Sequence, residues 1–392
     1  MLCELLAPTP PPSARGEQIV ALRIGVDAWN LPGDHRGIGR YTRALLRCWS
    51  GYGRDQVALT LIIPEWPALL HATRYRQELG GLPIPAIHRG AVTPKAFDLI
   101  WFPWNGMSWI PPGIGVATLH DASLFALPPD SAEVREREQR PFRVAAATAT
   151  QIITDSHYSK TELARHLNIE PDRIDVVHLG VDPVRVAPGP PPVEGPYILF
   201  VGEIEPRKGL DVLEAALERF PDPPTLVIAG KRTGAERVPE NSNIVARSPI
   251  ATAKYLGHVS DGVLASLYAS AKAVVYPSRY EGFGLPVLEA MAYGAPVVAS
   301  DAAGIPEAGG DAALYFASGD AEALANALML VLSEDELAEN LRELGRRRAA
   351  LMTWDVTASQ TMGIFERVLN VRKRRAAATP GSSEPRPHLV HS

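Results

Sequence analysis

The sequence predicts an α/β protein made of two doubly wound domains that face each other across a cleft. Three observations carry this. At 392 residues the chain exceeds what one ordinary core holds. Short apolar, β-branched runs alternate with helical stretches, the pattern of a parallel sheet covered on both faces. The alternation breaks once, over residues 183–196, which include Pro188, Pro190, Pro191 and Pro192, and then restarts.

The elements follow in order. Residues 1–20 are proline-rich and polar and read as a disordered arm. The first domain is expected over 21–183. Its strands fall over 21–27, 59–63, 97–102, 116–121 and 151–154, and its helices over 38–49, 131–148 and 156–167. Residues 184–196 read as a semi-rigid linker. The second domain is expected over 197–355, with strands over 197–201, 225–229, 273–276 and 296–299. Its helices are expected over 210–220, 262–270, 286–293 and 321–332, with a charged surface helix over 334–348. A last helix covers 356–375, and the polar tail 376–392 reads as disordered.

Composition narrows the function. A net charge of −5 gives no basic field for nucleic acid. Two cysteines, Cys3 and Cys48, make neither a disulfide framework nor a metal cluster. No apolar run reaches the length of a membrane span, and no secretory signal is recognisable. A cytoplasmic protein is expected, with a peripheral contact at the inner face of a membrane left open. The alternating charges from Arg135 to Arg140 read as a solvated helix face.

The most informative segment starts at Ser278 and runs Arg279-Tyr280-Glu281-Gly282-Phe283-Gly284-Leu285-Pro286-Val287-Leu288-Glu289-Ala290-Met291. It follows an apolar strand, and Pro286 suits the first turn of a helix. Strand, glycine-rich loop and helix N-terminus together suit an anion. Glu281 in the loop and Glu289 one turn into the helix suit hydroxyls instead, because carboxylates repel phosphate and accept from O–H groups. A ligand with phosphates in its middle and hydroxyls at both ends, as in a nucleotide sugar, fits this order.

The string closely resembles the donor-site signature E-G-F-G-L-P-x-L-E-A-M-A-x-G-x-P-V of the retaining GT-B glycosyltransferases of family GT4. The resemblance spans about Asp27 to Ser300. It implies the GT-B plan: two Rossmann-like domains, a C-terminal helix that crosses back to the first, and a nucleoside diphosphate sugar as co-substrate. No cofactor or metal is expected. Gly202-Glu203-Ile204-Glu205-Pro206-Arg207-Lys208-Gly209 resembles the family's diphosphate loop, so Arg207 and Lys208 are expected to stabilise the departing diphosphate. Relatives often carry Arg where this chain has Glu203. Gly37-Ile38-Gly39-Arg40-Tyr41 resembles a segment whose glycines, here Gly37 and Gly39, let acceptor and donor phosphate approach the first helix. It is no dinucleotide fingerprint, because Thr42 stands at the third glycine.

The resemblance assigns further roles. His120 contacts the donor sugar, and Asp121 either orients it or binds the acceptor. Glu281 and the backbone of Phe283, Gly284 and Leu285 position the sugar and its phosphate, and Glu289 binds the ribose. The backbone at Val259 faces the base, with Ser260 or Asp261 capping the next helix. Asp155 to Lys160, with Ser156 as N-cap, reads as architecture. The implied function is transfer of a sugar, with mannose from GDP-mannose foremost, to a saccharide or lipid-linked saccharide. Two other readings stay open: a GT-B enzyme of different chemistry, such as a phosphorylase or an epimerase, and a non-catalytic nucleotide-sugar-binding subunit.

Overall fold

The computed structural model describes residues 21–34, 37–53, 55–64, 72–182, 188–231 and 253–378. The expected arm 1–20, linker residues 184–187 and the tail from 379 onward lie outside these residues.

Among the described residues the chain forms two parallel sheets. The first contains β1 (Leu22–Asp27), β2 (Val57–Ile63), β3 (Ala86–His88), β4 (Leu99–Phe102), β5 (Gly115–Thr118), β6 (Gln151–Thr154) and β7 (Ile174–Val176). Their spatial order is β3-β2-β1-β4-β5-β6-β7. The second contains β8 (Tyr197–Val201), β9 (Thr225–Ala229), β10 (Ala253–Gly257), β11 (Ala273–Tyr276), β12 (Val297–Ser300) and β13 (Leu314–Phe316), ordered β10-β9-β8-β11-β12-β13. Each sheet therefore reverses its winding beside its first strand, at β1–β4 and at β8–β11. In such sheets the crevice beyond the carboxyl ends at the reversal is the natural ligand site.

The central strands are buried on both faces, which is why they read as unbroken apolar runs. All four residues of β4 and all four of β11 are buried. The strands β3, β7 and β13 span three residues each, too few for periodicity to show. Short helices at Ala72–Glu78, Ser123–Ala126 and Ile305–Gly309 were equally silent in the sequence.

The longer helices keep close to their expected bounds. Gly37–Ser50 follows β1, and Ala132–Thr148 begins after Ser131, whose hydroxyl accepts from Val134 N–H. His157–Leu167 begins after Ser156, whose side chain accepts from Ser159 N–H. Leu285–Ala292 follows β11, with Pro286 in its first turn.

The last helix runs Trp354–Ala378 and packs on the first sheet's side of the molecule. Trp49 Nε1 donates to the Ala358 carbonyl at 3.0 Å, and Phe365 packs against Trp49 and Trp101. Arg367 pairs with Asp175. The tail expected from 376 is corrected here: Ala376, Ala377 and Ala378 continue the helix, as alanine's high helix propensity favours.

Candidate active site

The carboxyl ends of the two sheets meet at a seam. Ser156 Oγ donates to the Gly282 carbonyl at 2.6 Å, and Ser159 Oγ reaches the same oxygen at 3.1 Å. A Cβ on Gly282 would lie 2.7 Å from the His120 carbonyl oxygen, so this glycine is what lets the two halves touch. That differs from the expected use of the loop, in which its glycines admit an anion. Ser156, read from the sequence as architecture, serves both as N-cap and as a bond across the seam.

The same seam holds Glu307. Its carboxylate accepts from His157 N–H at 2.8 Å and Tyr158 N–H at 2.9 Å and pairs with His178 Nε2 at 3.0 Å. His157, His178 and Glu307 bring three ligand-type atoms within 4.8 Å of one another. The carboxylate's bonds to a helix N-terminus account for its position without a metal.

On the second domain, Gly202 follows β8 and a single turn, Pro206–Lys208, carries the basic pair. Lys208 is buried, with Nζ 2.6 Å from Glu281 Oε1 and 5.6 Å from the centre of the Tyr276 ring. Arg207 reaches Glu281 Oε2 at 3.1 Å and lies 2.7 Å from Glu205 Oε1. Burial works against the Glu281 charge, but Lys208 and Arg207 outweigh it and hold the carboxyl below its usual range. Burial also opposes the Arg207 charge, and Glu281 and Glu205 overcome it. The expected division of labour, cations for diphosphate and Glu281 for sugar, is therefore one ion cluster at the β8–β11 reversal.

Gly284 adopts a left-handed conformation, φ 112°, and starts the Leu285–Ala292 helix. Phe283 and Leu285 are buried, and Phe283 stacks on His178 at 5.4 Å. Val259 is half-buried against the core, and Ser260 rather than Asp261 caps the helix Asp261–Ser270 by accepting from Val263 N–H.

Glu289 is also engaged. Tyr268 Oη donates to its Oε2 at 3.2 Å, and Arg40 from the first domain pairs with its Oε1. Arg40 lies 3.6 Å from Asp261 as well. The Glu289 charge raises the Arg40 guanidinium further above its ordinary value. Nothing in the sequence singled out Arg40, because its partner lies 249 positions away. The two glycines beside it differ. A Cβ on Gly37 would meet nothing within 4 Å, whereas one on Gly39 would lie 1.8 Å from the Asp34 carbonyl oxygen. Gly39 thus makes room for this chain's own backbone.

His120 follows β5 and is buried. Its Nδ1 bonds Asp155 Oδ2 at 2.8 Å and its Nε2 bonds the Pro103 carbonyl at 3.1 Å. Burial disfavours the charged ring, but Asp155 and the Pro103 carbonyl outweigh it and raise the imidazole above its ordinary value. The Pro103 carbonyl can only accept, so Nε2 carries a proton, and Nδ1 and Asp155 share the proton between them. Asp155, not Asp121, orients it. Asp121 Oδ1 instead accepts from Ser123 N–H at 2.9 Å and Ser123 Oγ at 2.6 Å. Asp155 stood in the sequence as the first residue of a presumed architectural run; its place one strand over from β5 was the missing link.

Comparison with known proteins gives the family. A family model described as Glycosyltransferase Family 4 matches residues 35–185, and one described as Glycosyl transferases group 1 matches residues 186–348. An O-antigen chain mannosyltransferase B of Escherichia coli is 32% identical over 268 residues, 64% of this chain and 70% of that protein. A D-inositol 3-phosphate glycosyltransferase of Jonesia denitrificans is 33% identical, over 61% of this chain and 62% of its own length. Among solved structures, sucrose-phosphate synthase from Thermosynechococcus elongatus superposes with a TM-score of 0.65 at 20% identity, covering 91% of this chain and 100% of that one. Anabaena Alr3699/HepE, solved in complex with UDP-glucose, gives 0.66 at 18% identity, covering 89% and 100%. With a GT-B fold and sequence relatedness across both halves, the chain belongs to the family 4 glycosyltransferases.

Proposed function

We propose that this glycosyltransferase moves mannose from GDP-mannose to a hydroxyl of a saccharide or lipid-linked saccharide, with retention at the anomeric carbon and without a metal. The choice of mannose rests on the relatives, which include a phosphatidyl-myo-inositol mannosyltransferase of Mycolicibacterium smegmatis, 34% identical over 53% of this chain and 56% of that protein. The observation that carries the reading is the Lys208–Glu281–Arg207 cluster at the β8–β11 reversal, facing the first domain.

The chemistry follows from charge. In the cleft as it stands, Glu281 neutralises the two cations. An arriving diphosphate competes for them, and the displaced Glu281 carboxylate turns to sugar hydroxyls. Lys208 and Arg207 then meet the charge that develops on the leaving diphosphate, the role a metal fills elsewhere. Glu289 exchanges Arg40 for ribose hydroxyls. His120 gives up its bond to the Pro103 carbonyl and donates to the sugar. The bond from C1 to the diphosphate oxygen breaks while the acceptor oxygen bonds C1 on the same face; the acceptor proton passes to the departing diphosphate. The transition state carries oxocarbenium character.

Among the described residues no helix is long and apolar enough to cross a membrane. A lipid-linked acceptor would bring the chain to the inner membrane face from the cytoplasm. The exposed Arg372 and Arg374 near the end of the last helix are placed to aid that contact.

Thermal-shift titration with GDP, UDP and ADP tests the donor class, because a selective ligand stabilises the fold by mass action. Selective stabilisation by GDP, and an NMR-detected α-linked product from GDP-mannose, are the expected results. Preference for another nucleotide overturns the donor, and an inverted product overturns the mechanism.

A further inference from the structure

Glu307 needs no metal to hold its position, yet its two histidine neighbours stand as a metal's ligands would. Both come from the first domain. His157 opens the helix His157–Leu167, and His178 follows β7. Glu307 comes from the second domain, in the short helix Ile305–Gly309. It lies 129 positions from His178, so no spacing in the sequence announces the group.

The bonds that Glu307 makes leave room for an ion. Its Oε1 accepts from Tyr158 N–H and has a second lone pair. Its Oε2 accepts from His157 N–H and faces His178 Nε2 at 3.0 Å. A neutral imidazole with its proton on Nδ1 offers the Nε2 lone pair, and a cation can then take the place of the proton between Nε2 and Oε2. Ligand atoms at ~2.0–2.1 Å from a tetrahedral zinc stand roughly 3.3 Å apart, close to the spacing found. The ligand atom on His157 lies within 4.8 Å of the other two. This exposed ring has to swing inward by at most about 1.5 Å to join them.

The surroundings hold the site in shape. Phe283 stacks on the His178 ring with centroids 5.4 Å apart, and Thr357 Oγ1 donates to the His178 carbonyl at 2.9 Å. The His157 ring meets His178 edge-on, with centroids 6.0 Å apart. The His178 and Glu307 side chains are 36% and 22% exposed, so an ion reaches them from solvent. Two imidazoles and one carboxylate suit zinc, which takes three protein ligands and leaves a fourth position to water. Magnesium and calcium favour oxygen ligands instead.

We propose that His157, His178 and Glu307 form a Zn²⁺ site that clasps the first domain to the second. The ion has no part in sugar transfer, and the site stands whether or not the donor reading holds.

Calorimetric titration of the metal-stripped, untagged full chain with zinc chloride tests it. One zinc per chain is expected, and zinc should raise the melting temperature by mass action. His157→Ala should weaken zinc binding by at least about tenfold. Its metal-free melting temperature should match the wild type, because the backbone N–H that Glu307 uses remains. Glu307→Gln should weaken zinc to a similar extent. No zinc binding in the wild type, or full affinity in His157→Ala, overturns the site. Full affinity in a folded Glu307→Gln puts the ion on the histidines of one domain and overturns the clasp. Hydrogen exchange in the wild type decides the same point without a variant. Zinc should slow exchange in both His157–Leu167 and Ile305–Gly309, and slowing confined to the first helix overturns the clasp.

Discussion

The two winding reversals of this molecule share a topology and differ in electrostatics. At β8–β11 the carboxylate Glu281 is saturated, with a lysine on one oxygen and an arginine on the other. At β1–β4 the carboxylate Asp27 has one long bond and one bare oxygen. The same backbone plan thus yields one carboxylate neutralised by two cations and one buried among indoles with an oxygen unpaired. The difference comes from which segment meets the carboxylate. Pro206–Lys208, after β8, places two cations within reach of Glu281, whereas Trp104 and Trp109, after β4, bring indole N–H groups to Asp27. The seam built by Ser156, Ser159 and Gly282 holds the carboxyl ends of the two sheets together.

The contrast can be broken at its strongest point first. Lys208→Ala should cost about 2.7–4 kcal/mol of transition-state stabilisation, as loss of an oxyanion-hole donor does. Steady-state kinetics should show this in turnover, with the acceptor KM unchanged; unchanged turnover would remove the cation cluster from the chemistry. Ser156→Ala deletes an N-cap and the bond to Gly282 together. It should lower stability by about 2 kcal/mol, read by denaturant unfolding. A loss within error would mean that the seam is held elsewhere.

Weaker effects sharpen the comparison. Glu289→Ala should weaken nucleoside diphosphate binding about tenfold, or about 1.4 kcal/mol, by calorimetry. Retained affinity would assign Glu289 to Arg40 and Tyr268 alone. The last test is a pH dependence. Burial raises the folded Asp27 carboxyl to about 7, above its ordinary 3.8. The folded state therefore binds the extra proton, and stability is lost as pH rises from about 4 through 7. Asp27→Asn removes that loss, so its melting temperature should gain on the wild type between pH 5 and pH 8. A pH-independent gap would show that Asp27 is not desolvated.

Much of this was legible in the residues, for physical reasons. Doubly buried strands such as β4 and β11 leave unbroken apolar runs, and Pro286 and Ser156 mark helix starts by chemistry that needs no tertiary context. Glu281, Glu289, Arg207 and Lys208 stood out because the string around them is long and specific. What stayed hidden was pairing over distance. Arg40 on Glu289, Asp155 on His120 and Gly282 against the His120 carbonyl each join segments that only the fold brings together. Asp27 was read merely as the last residue of a strand, because a missing partner is invisible until the surroundings are built.

The central claim is that the β8–β11 reversal receives the donor diphosphate. A crystal structure of the protein with bound nucleoside diphosphate tests it most directly. The phosphates should lie within hydrogen-bond distance of Lys208 and Arg207, with Glu281 released from at least one of them and ribose hydroxyls on Glu289. Phosphates bound away from both cations, with the Lys208–Glu281 contact intact, would contradict it.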